Sequence, residues 1–298
     1  MTERFRFSRV LIDEATMSTE GSSLIPITRG AQQLVLIGDQ CQLPPVVKTR
    51  QHPAPAAARP LFNRLLQDGL PAALLSVQYR MHPAISQLPS DLFYAGAVSD
   101  GISASDRPPL AGFKWPRPEW PVAFVHVEAY EQGDDTSKLN RPEAVVVAQL
   151  VSELLAAGNA KSTIGVITPY ASQVRLLKSF TRGAGGAPAP GDTSEVEVSS
   201  VDGFQGREKE IIIFSCVRAN QNHSLGFLAD PRRINVSITR AKSALIVCGH
   251  APTLSSGTGP WAWWMRWARA HGVVVGETAS GTYDSQGARV TSSEQWWL

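Results

Sequence analysis

Six short apolar runs recur along the 298-residue chain and constrain its fold more than any other feature. They occupy residues 10–12, 34–37, 122–127, 164–167, 211–214 and 244–247. Stretches compatible with helices, at 141–157 and 171–180, lie between some of them. Apolar runs of this length suit strands that are buried on both faces, and helices are the usual connections between parallel strands. The pattern therefore predicts an α/β fold with parallel sheets flanked by helices.

Charge and cysteine content limit the class of protein. Lys and Arg total 28 against 26 acidic residues, so the net charge of +2 neither demands nor excludes a nucleic-acid partner. The three cysteines form no C-x-x-C pair, which favours the cytoplasm, with the nucleus as the alternative. No apolar run approaches the roughly 20 residues of a membrane helix, and the N-terminus lacks the apolar core of a signal peptide. We therefore expect no membrane partner.

Three tryptophans, Trp261, Trp264 and Trp267, recur at helical i, i+3 spacing. Such a stripe is usually the buried face of a packing helix. A surface that stacks on nucleic-acid bases is the alternative. The packing interpretation is favoured.

Two carboxylates, Asp13 and Glu14, follow the first apolar run directly. In α/β sheets, ligands bind outside the carboxyl ends of the strands. One carboxylate there can hold Mg²⁺ through its water shell while the other polarises an attacking water. The pair can equally be a helix N-cap favoured by the helix dipole. The segment alone leaves both interpretations open.

The second apolar run ends in Gly38 and Asp39, followed by Gln42 and the rigid pair Pro44-Pro45. The amide of Gln42 both donates and accepts, so it suits a phosphate oxygen or a water. A solvated turn is the alternative for this segment taken alone. Two polar strand ends in succession favour a shared site.

Two arginines, Arg80 and Arg240, are the candidate cations for such a site. Guanidinium donors match phosphoryl oxygens and neutralise charge in a transition state. Single arginines are more often partners in surface salt bridges. His82, in the segment Met81-His82-Pro83, suits a positional role better than that of a catalytic base.

Together these segments resemble the motifs of superfamily 1B helicases of the up-frameshift type, the family of the nonsense-mediated mRNA decay helicase. The segments similar to motifs II to VI are, in order, DEAT (13–16), GDQCQLPP (38–45), QYRMHP (78–83), VDGFQGRE (201–208) and RRINVSITRAK (232–242). Each short motif is only moderately specific. Their conjunction over residues 10–250 is highly specific and covers most of the chain.

The resemblance implies RecA-like domains of the P-loop NTPase class, with ATP and Mg²⁺ bound between two of them. It places Asp13 at Mg²⁺, Glu14 as the catalytic base and Gln42 at the γ-phosphate. It makes Arg80 and Arg240 arginine fingers from the second domain. Hydrolysis would drive movement along single-stranded RNA or DNA, in a monomer that works with mRNA-decay factors. RNA is favoured, because the motifs are closest to the decay helicase.

Further roles follow from the same resemblance. Tyr79 would stack on the adenine, Glu208 would approach the ribose, and Gly206 is the third residue expected to bind the nucleotide. The residues expected at the nucleic-acid strand are Thr168, Pro169, Tyr170 and Asp202. Contacts there are expected to run mostly to the backbone and to stacked bases, which gives little sequence preference.

A phosphate-binding loop of the form G-x-x-x-x-G-K-[ST] does not occur in this sequence, and the dipeptide Gly-Lys is absent. Lys161 and Ser162 mimic its end, but Ala160 stands where Gly is required. We therefore expect residues 1–70 to be the C-terminal part of a first RecA-like domain, 71–255 the second, and 256–298 a terminal helix and tail. Residues 1–70 should then expose apolar surface and be the less stable part.

Three functions are compatible with these features. The favoured hypothesis is the C-terminal part of an ATP-dependent helicase, whose isolated chain hydrolyses ATP weakly or not at all because the phosphate cradle is missing. The alternative is a catalytically incompetent module that binds RNA or a helicase. An unrelated α/β nucleotide-binding enzyme ranks last, since it leaves the two arginine segments unexplained and the sequence has no G-x-G-x-x-G fingerprint.

Overall fold

The chain divides into two compact units, Met1–Leu75 and Ser76–Leu298. The computed structural model describes residues 5–46, 59–133, 137–181 and 196–276. Within these ranges no helix is both long enough and apolar enough to cross a lipid bilayer.

The first unit is built on a pair of parallel strands, β1 (Arg9–Ile12) and β2 (Gln33–Leu36), with Val10 opposite Leu34. Helix α1 (Glu20–Ile27) connects them, and α2 (Leu61–Gln67) follows. An ion pair of 2.9 Å between Arg64 Nη2 and Glu20 Oε1 joins the two helices. The first two apolar runs are therefore strands, and they are parallel as predicted.

Much of the apolar surface of this unit faces solvent. Leu11 on β1 and Val35 on β2 are 64% and 51% exposed, and Ile25 on α1 is 58% exposed. Strands of a parallel sheet are normally covered on both faces. The described residues of this unit thus show the exposed apolar surface that the sequence predicts.

Limited proteolysis of the 298-residue chain should cleave the first unit before the second. Few buried contacts hold β1, β2, α1 and α2, so local opening there should cost less free energy than opening of the large sheet described below. We expect peptides from residues 5–46 to appear in a mass-spectrometric time course well before peptides from 140–181 and 196–250. Simultaneous release of both sets would contradict the difference in stability.

The second unit contains a six-stranded sheet in which all neighbouring strands are parallel. Its strands, in chain order, are β5 (Val122–His126), β8 (Ile164–Thr168), β9 (Glu197–Ser200), β10 (Lys209–Ser215), β11 (Ala241–Gly249) and β12 (Val274–Val275). Across the sheet they lie in the order β12, β5, β11, β10, β8, β9. Two small pairs accompany it, β3 (Val77–Gln78) with β4 (Ser99–Asp100) and β6 (Gln132–Gly133) with β7 (Lys138–Leu139). The four remaining apolar runs are all buried, parallel strands, as predicted, and none of them lies at an edge of the sheet.

Helices cover this sheet because their apolar stripes need burial. They are α3 (Pro83–Tyr94), α4 (Arg141–Ala156), α5 (Ala171–Thr181), α6 (Pro231–Ile238), α7 (Ala251–Ser255) and α8 (Pro260–Ala270). Helix α4 is preceded by Asn140, whose Oδ1 accepts the N–H of Glu143 at 3.1 Å and so caps the helix. Its side chains Val147, Leu150 and Leu154 lie in the core. The predicted α/β class, with a parallel sheet flanked by helices, is confirmed.

The tryptophan stripe lies on α8 and points inward. Trp261 and Trp264 are fully buried, with ring centroids 5.7 Å from Phe214 and 5.6 Å from Phe124 respectively. Trp267 is half-buried, 4.6 Å from the ring of His271. The packing interpretation is confirmed for this stripe.

Candidate functional site

The two polar strand ends of the first unit lie side by side. The N–H of Ala15, after β1, donates to the carbonyl of Ile37, after β2, at 2.8 Å. The N–H of Asp39 donates to the hydroxyl of Thr16 at 3.3 Å. The segments 13–16 and 38–45 therefore form one local structure, as their succession along the chain predicts.

Gly38 permits this close approach. A Cβ atom at this position would lie 3.0 Å from both Cγ2 and the backbone nitrogen of the buried Thr16. Such a contact is tighter than ordinary van der Waals packing. A larger residue would therefore push the two strand ends apart.

Asp39 orients the Gln42 side chain. Its Oδ2 accepts the Gln42 Nε2 at 2.8 Å, while its Oδ1 accepts the N–H of Cys41 at 2.9 Å. The sequence suggested that the neighbouring prolines hold Gln42. The carboxylate of Asp39 fixes the amide more directly.

Glu14 has a strained backbone next to Asp13. Its φ and ψ are 50° and 39°, in the left-handed region that few residues other than glycine occupy. Its N–H donates to Asp13 Oδ1 at 2.9 Å, and its side chain makes no capping bond to the short helix Ala15–Met17. Strain of this kind is concentrated at functional sites. The capping interpretation thus has no support from the Glu14 side chain, and the catalytic role stays a prediction.

In the second unit, Arg80 and Arg240 converge on Thr239. Arg80 Nη1 donates to the carbonyl of Thr239 at 3.2 Å, and Arg240 Nη2 donates to its hydroxyl at 3.0 Å. Arg240 is 4% exposed, whereas the Arg80 side chain is 38% exposed. Two arginines that are 160 positions apart in the sequence are thus neighbours, as a shared role requires.

Glu208 bridges two cations beside this pair. Its carboxylate oxygens lie 2.6 Å from Arg80 Nε and 3.0 Å from Lys242 Nζ. Partial burial acts to raise the pKa of Glu208, but the hydrogen bonds from Lys242 and Arg80 outweigh it and hold the pKa below the ordinary value. Glu208 is therefore ionised at neutral pH and positions Arg80.

Tyr79 precedes Arg80 and presents an exposed ring. The ring is 66% exposed and lies against Gly101, where a Cβ would come within 2.7 Å of Tyr79 Cδ1. The Gln78 side chain fixes this turn, because its Oε1 accepts the N–H of Arg80 at 2.8 Å. The geometry leaves the Tyr79 ring available for stacking on a base. Gly206, with φ of 74°, supplies the left-handed turn before Arg207.

The residues predicted at the nucleic-acid strand differ in accessibility. Asp202 is exposed at the start of the short helix Asp202–Phe204, and Pro169 is half-buried. Thr168, at the end of β8, is fully buried, and Tyr170 is only 3% exposed. A ring as buried as that of Tyr170 cannot stack directly on a base. Any role of Tyr170 in binding must therefore act through the residues that it holds.

A buried polar network at the carboxyl end of β10 was not expected from the sequence. Glu143 is fully buried, and its Oε1 accepts the Ser215 hydroxyl at 2.6 Å and the N–H of Val217 at 2.9 Å. Burial raises the pKa of Glu143 to about 7, against these hydrogen bonds, which favour the ionised form. Gln173 extends the network by donating to the Ser215 hydroxyl at 3.1 Å.

Val217, a member of this network, has a strained backbone. Its φ is 69°, a rare backbone conformation for a β-branched residue. Its N–H is held by Glu143, and its carbonyl accepts Asn140 Nδ2 at 3.4 Å. The sequence offered one partial hint, because Asn140 and Glu143 have the spacing of a helix cap and its third residue. That pattern predicts an exposed glutamate, so it gave no sign of burial.

Comparison with known proteins assigns the family. A family model described as AAA domain matches residues 57–252, about two thirds of the chain, and a second model with the same description matches residues 1–50. The protein named regulator of nonsense transcripts 1 homolog from Drosophila melanogaster is 44% identical over 254 residues, which are 85% of this chain and 21% of that protein. The homolog from Arabidopsis thaliana is also 44% identical, over 84% of this chain and 20% of its own length.

A third relative carries an activity in its name. ATP-dependent helicase upf1 from Schizosaccharomyces pombe is 40% identical over 255 residues, which are 85% of this chain and 28% of that protein. This chain thus spans between 20% and 28% of the length of these three curated relatives. The match to the family model and the extent of these identities show that the chain belongs to the AAA domain family, among the relatives of the up-frameshift regulators of nonsense transcripts.

Proposed function

We propose that this chain is the part of an up-frameshift-type helicase that helps couple ATP hydrolysis to movement on single-stranded nucleic acid. The observation that carries the proposal is the 40–44% identity, over 84–85% of the chain, to relatives named as regulators of nonsense transcripts and as an ATP-dependent helicase. Each unit adds local support, because the residues that the motifs place at the nucleotide are neighbours within their unit.

The first unit would contribute the hydrolytic groups. Asp13 would hold Mg²⁺, Glu14 would polarise the attacking water, and Gln42 would contact the γ-phosphate. The bond from Gln42 to Asp39 supports this proposal, since it orients the amide before a ligand arrives. The left-handed backbone of Glu14 supports it as well, since such strain is concentrated at functional sites. Carboxylate oxygens suit Mg²⁺, which prefers hard oxygen ligands.

The second unit would contribute the charge that stabilises the transferring phosphoryl group. Arg80 and Arg240, which meet at Thr239, are the arginine fingers in this proposal. The exposed ring of Tyr79 would stack on the adenine, Glu208 would lie by the ribose, and Gly206 would bind the nucleotide with them. Residues 1–70 and 71–255 would belong to the first and second RecA-like domains.

RNA is the proposed strand, because the names of two relatives concern transcripts. Factors of mRNA decay are the proposed partners, and the cytoplasm is the proposed compartment, with the nucleus as the alternative. The side chains proposed to face the strand include Asp202, which is exposed. The less accessible residues would act indirectly, by holding the residues that contact the strand; they are Thr168, Pro169 and Tyr170.

A chimera tests this function directly. This chain would replace the matching 28% of the S. pombe ATP-dependent helicase upf1. We expect Mg²⁺-dependent ATP hydrolysis that single-stranded RNA stimulates, and its loss on Glu14→Gln substitution. A chimera that folds and binds RNA but hydrolyses no ATP would contradict the proposal.

The purified 298-residue chain distinguishes the helicase from the alternative binding module. Its sequence contains no Gly-Lys pair to hold the β- and γ-phosphates, so its own ATP hydrolysis should be weak or undetectable. If the module hypothesis were correct, the chimera would also be inactive and RNA binding would not respond to ATP. An active chimera together with an inactive isolated chain supports the helicase assignment.

A further inference from the structure

Phe227 is an exposed aromatic residue that lies outside the buried core. It lies in the short helix Gly226–Ala229, which precedes α6, and 49% of it is exposed to solvent. A large apolar ring in a turn costs free energy when water covers it. Its exposure is explained if another ring covers it in a complex.

The turn that carries Phe227 is attached to the buried Tyr170. The phenolic oxygen of Tyr170 accepts the N–H of Phe227 at 3.3 Å and Arg218 Nη1 at 3.3 Å. Gly226 makes this approach feasible, because a Cβ there would overlap Arg218 and lie 2.9 Å from the Tyr170 oxygen. Arg218 is itself anchored by Glu131, with 3.0 Å between Nε and Oε2. The buried Tyr170 therefore fixes the backbone of Phe227 in place.

The ring of Phe227 is also oriented. Its centroid lies 5.5 Å from that of Tyr170, and the Arg233 guanidinium lies 5.1 Å from it. A cation at this distance is attracted to the ring face. Among the residues that the structure describes, the acidic partner of Arg233 is Asp230 at 3.7 Å, a long ion pair that leaves the Arg233 charge well suited to a phosphate. An exposed, preorganised ring next to a cation is the combination that single-stranded nucleic acids use for stacking.

We propose that Phe227 stacks on an unpaired base of single-stranded nucleic acid, with Tyr170 as the residue that positions it. This inference rests on the proposed function. It explains how the buried segment Thr168-Pro169-Tyr170 could affect strand binding, namely by positioning Phe227. Because every base has a π-face, the contact would confer affinity with little sequence preference.

Fluorescence anisotropy of the 298-residue chain with a labelled oligouridine tests the contact. Phe227→Ala should weaken binding roughly 5- to 150-fold, the range that one lost base–aromatic stack produces. Phe227→Trp should bind as the wild type does. The matched control is Trp263→Ala, since Trp263 is 54% exposed and has Arg266 at 5.1 Å from its ring. We expect this control to bind within about twofold of the wild type.

An oligonucleotide with abasic sites separates stacking from other effects. Wild type and Phe227→Ala should bind it with equal affinity, because no base remains to stack. Tyr170→Phe should weaken binding to oligouridine, and the loss should not add to that of Phe227→Ala if Tyr170 acts through Phe227.

The inference and the proposed function fail in different ways. If the wild type binds oligouridine and Phe227→Ala binds it equally well, the stacking role is wrong while nucleic-acid binding stands. If Phe227→Ala weakens binding to the abasic strand as much as to oligouridine, the stacking role is also wrong. If the wild type does not bind oligouridine, the proposed function fails and the inference fails with it.

Discussion

Arg80→Ala is expected to lower kcat for ATP hydrolysis in the S. pombe chimera by about a thousandfold or more, which is the effect typical of arginine fingers. The guanidinium stabilises negative charge that develops on the transferring phosphoryl group, and alanine supplies no charge. Arg80 reaches Thr239 and Glu208 in the second unit, so the side chain is already oriented before ATP binds. The loss should therefore appear in kcat at saturating ATP.

A matched arginine in the same unit provides the control. The Arg117 side chain is 39% exposed and lies 2.5 Å from Glu119, compared with 38% exposure and 2.6 Å to Glu208 for Arg80. Arg117→Ala should leave kcat within about twofold of the unsubstituted chimera, as expected for a surface ion pair. Arg80→Lys should recover only part of the rate, because lysine lacks the planar pair of donors. Equal rates for the two alanine variants would show that Arg80 takes no part in the chemistry.

The central strands could be predicted from the sequence because each of them contains a run of consecutive apolar residues, which indicates burial. The run at 211–214, for example, is apolar at every position and forms the middle of β10. The edge strand β9 (Glu197–Ser200) escaped prediction, since Val198 is its single apolar residue and the segment therefore carries no apolar run. Strand β12, with only Val274 and Val275, is too short to show any period.

The candidate site could be predicted only where neighbours in space are also recognisable in sequence. Asp13 and Gly38 each follow an apolar run, and parallel strands bring their carboxyl ends together. By contrast, Glu143 meets Val217 across 74 positions of sequence. No local pattern records that contact, so neither the burial of the carboxyl nor the strain of Val217 was foreseeable. Tyr170 was expected at the nucleic-acid strand, and no local pattern indicates that its ring is buried.

Glu143 should make the stability of the second unit fall as the pH rises. In the folded state its pKa is about 7, above the ordinary value of 4.5, so the folded chain keeps a proton that the unfolded chain releases. The free energy of unfolding is then highest below about pH 4.5 and falls as the pH rises through 7. At 1.36 kcal/mol for each pKa unit, the full change is about 3 kcal/mol.

Tryptophan fluorescence isolates this effect, because all eight tryptophans lie in the second unit. Urea unfolding of the wild type and of Glu143→Gln should be followed at pH 5 and at pH 8. The amide does not titrate, so the stability of the variant relative to the wild type should rise by about 2 to 3 kcal/mol between the two pH values. Glu119→Gln is the control, since that exposed carboxyl has a lowered pKa and is ionised throughout this range.

A constant difference between the wild type and Glu143→Gln from pH 5 to pH 8 would mean that Glu143 stays ionised when folded. The bonds from Ser215 and Val217 would then outweigh the cost of burying the charge. The expected slope instead requires that burial dominates, which Glu143 Oε2 supports, since it is buried and has no hydrogen-bond partner in the described part of the chain. Ionisation above pH 7 would then put an uncompensated charge beside the strained Val217, so the carboxyl end of β10 should be the first part of the sheet to loosen.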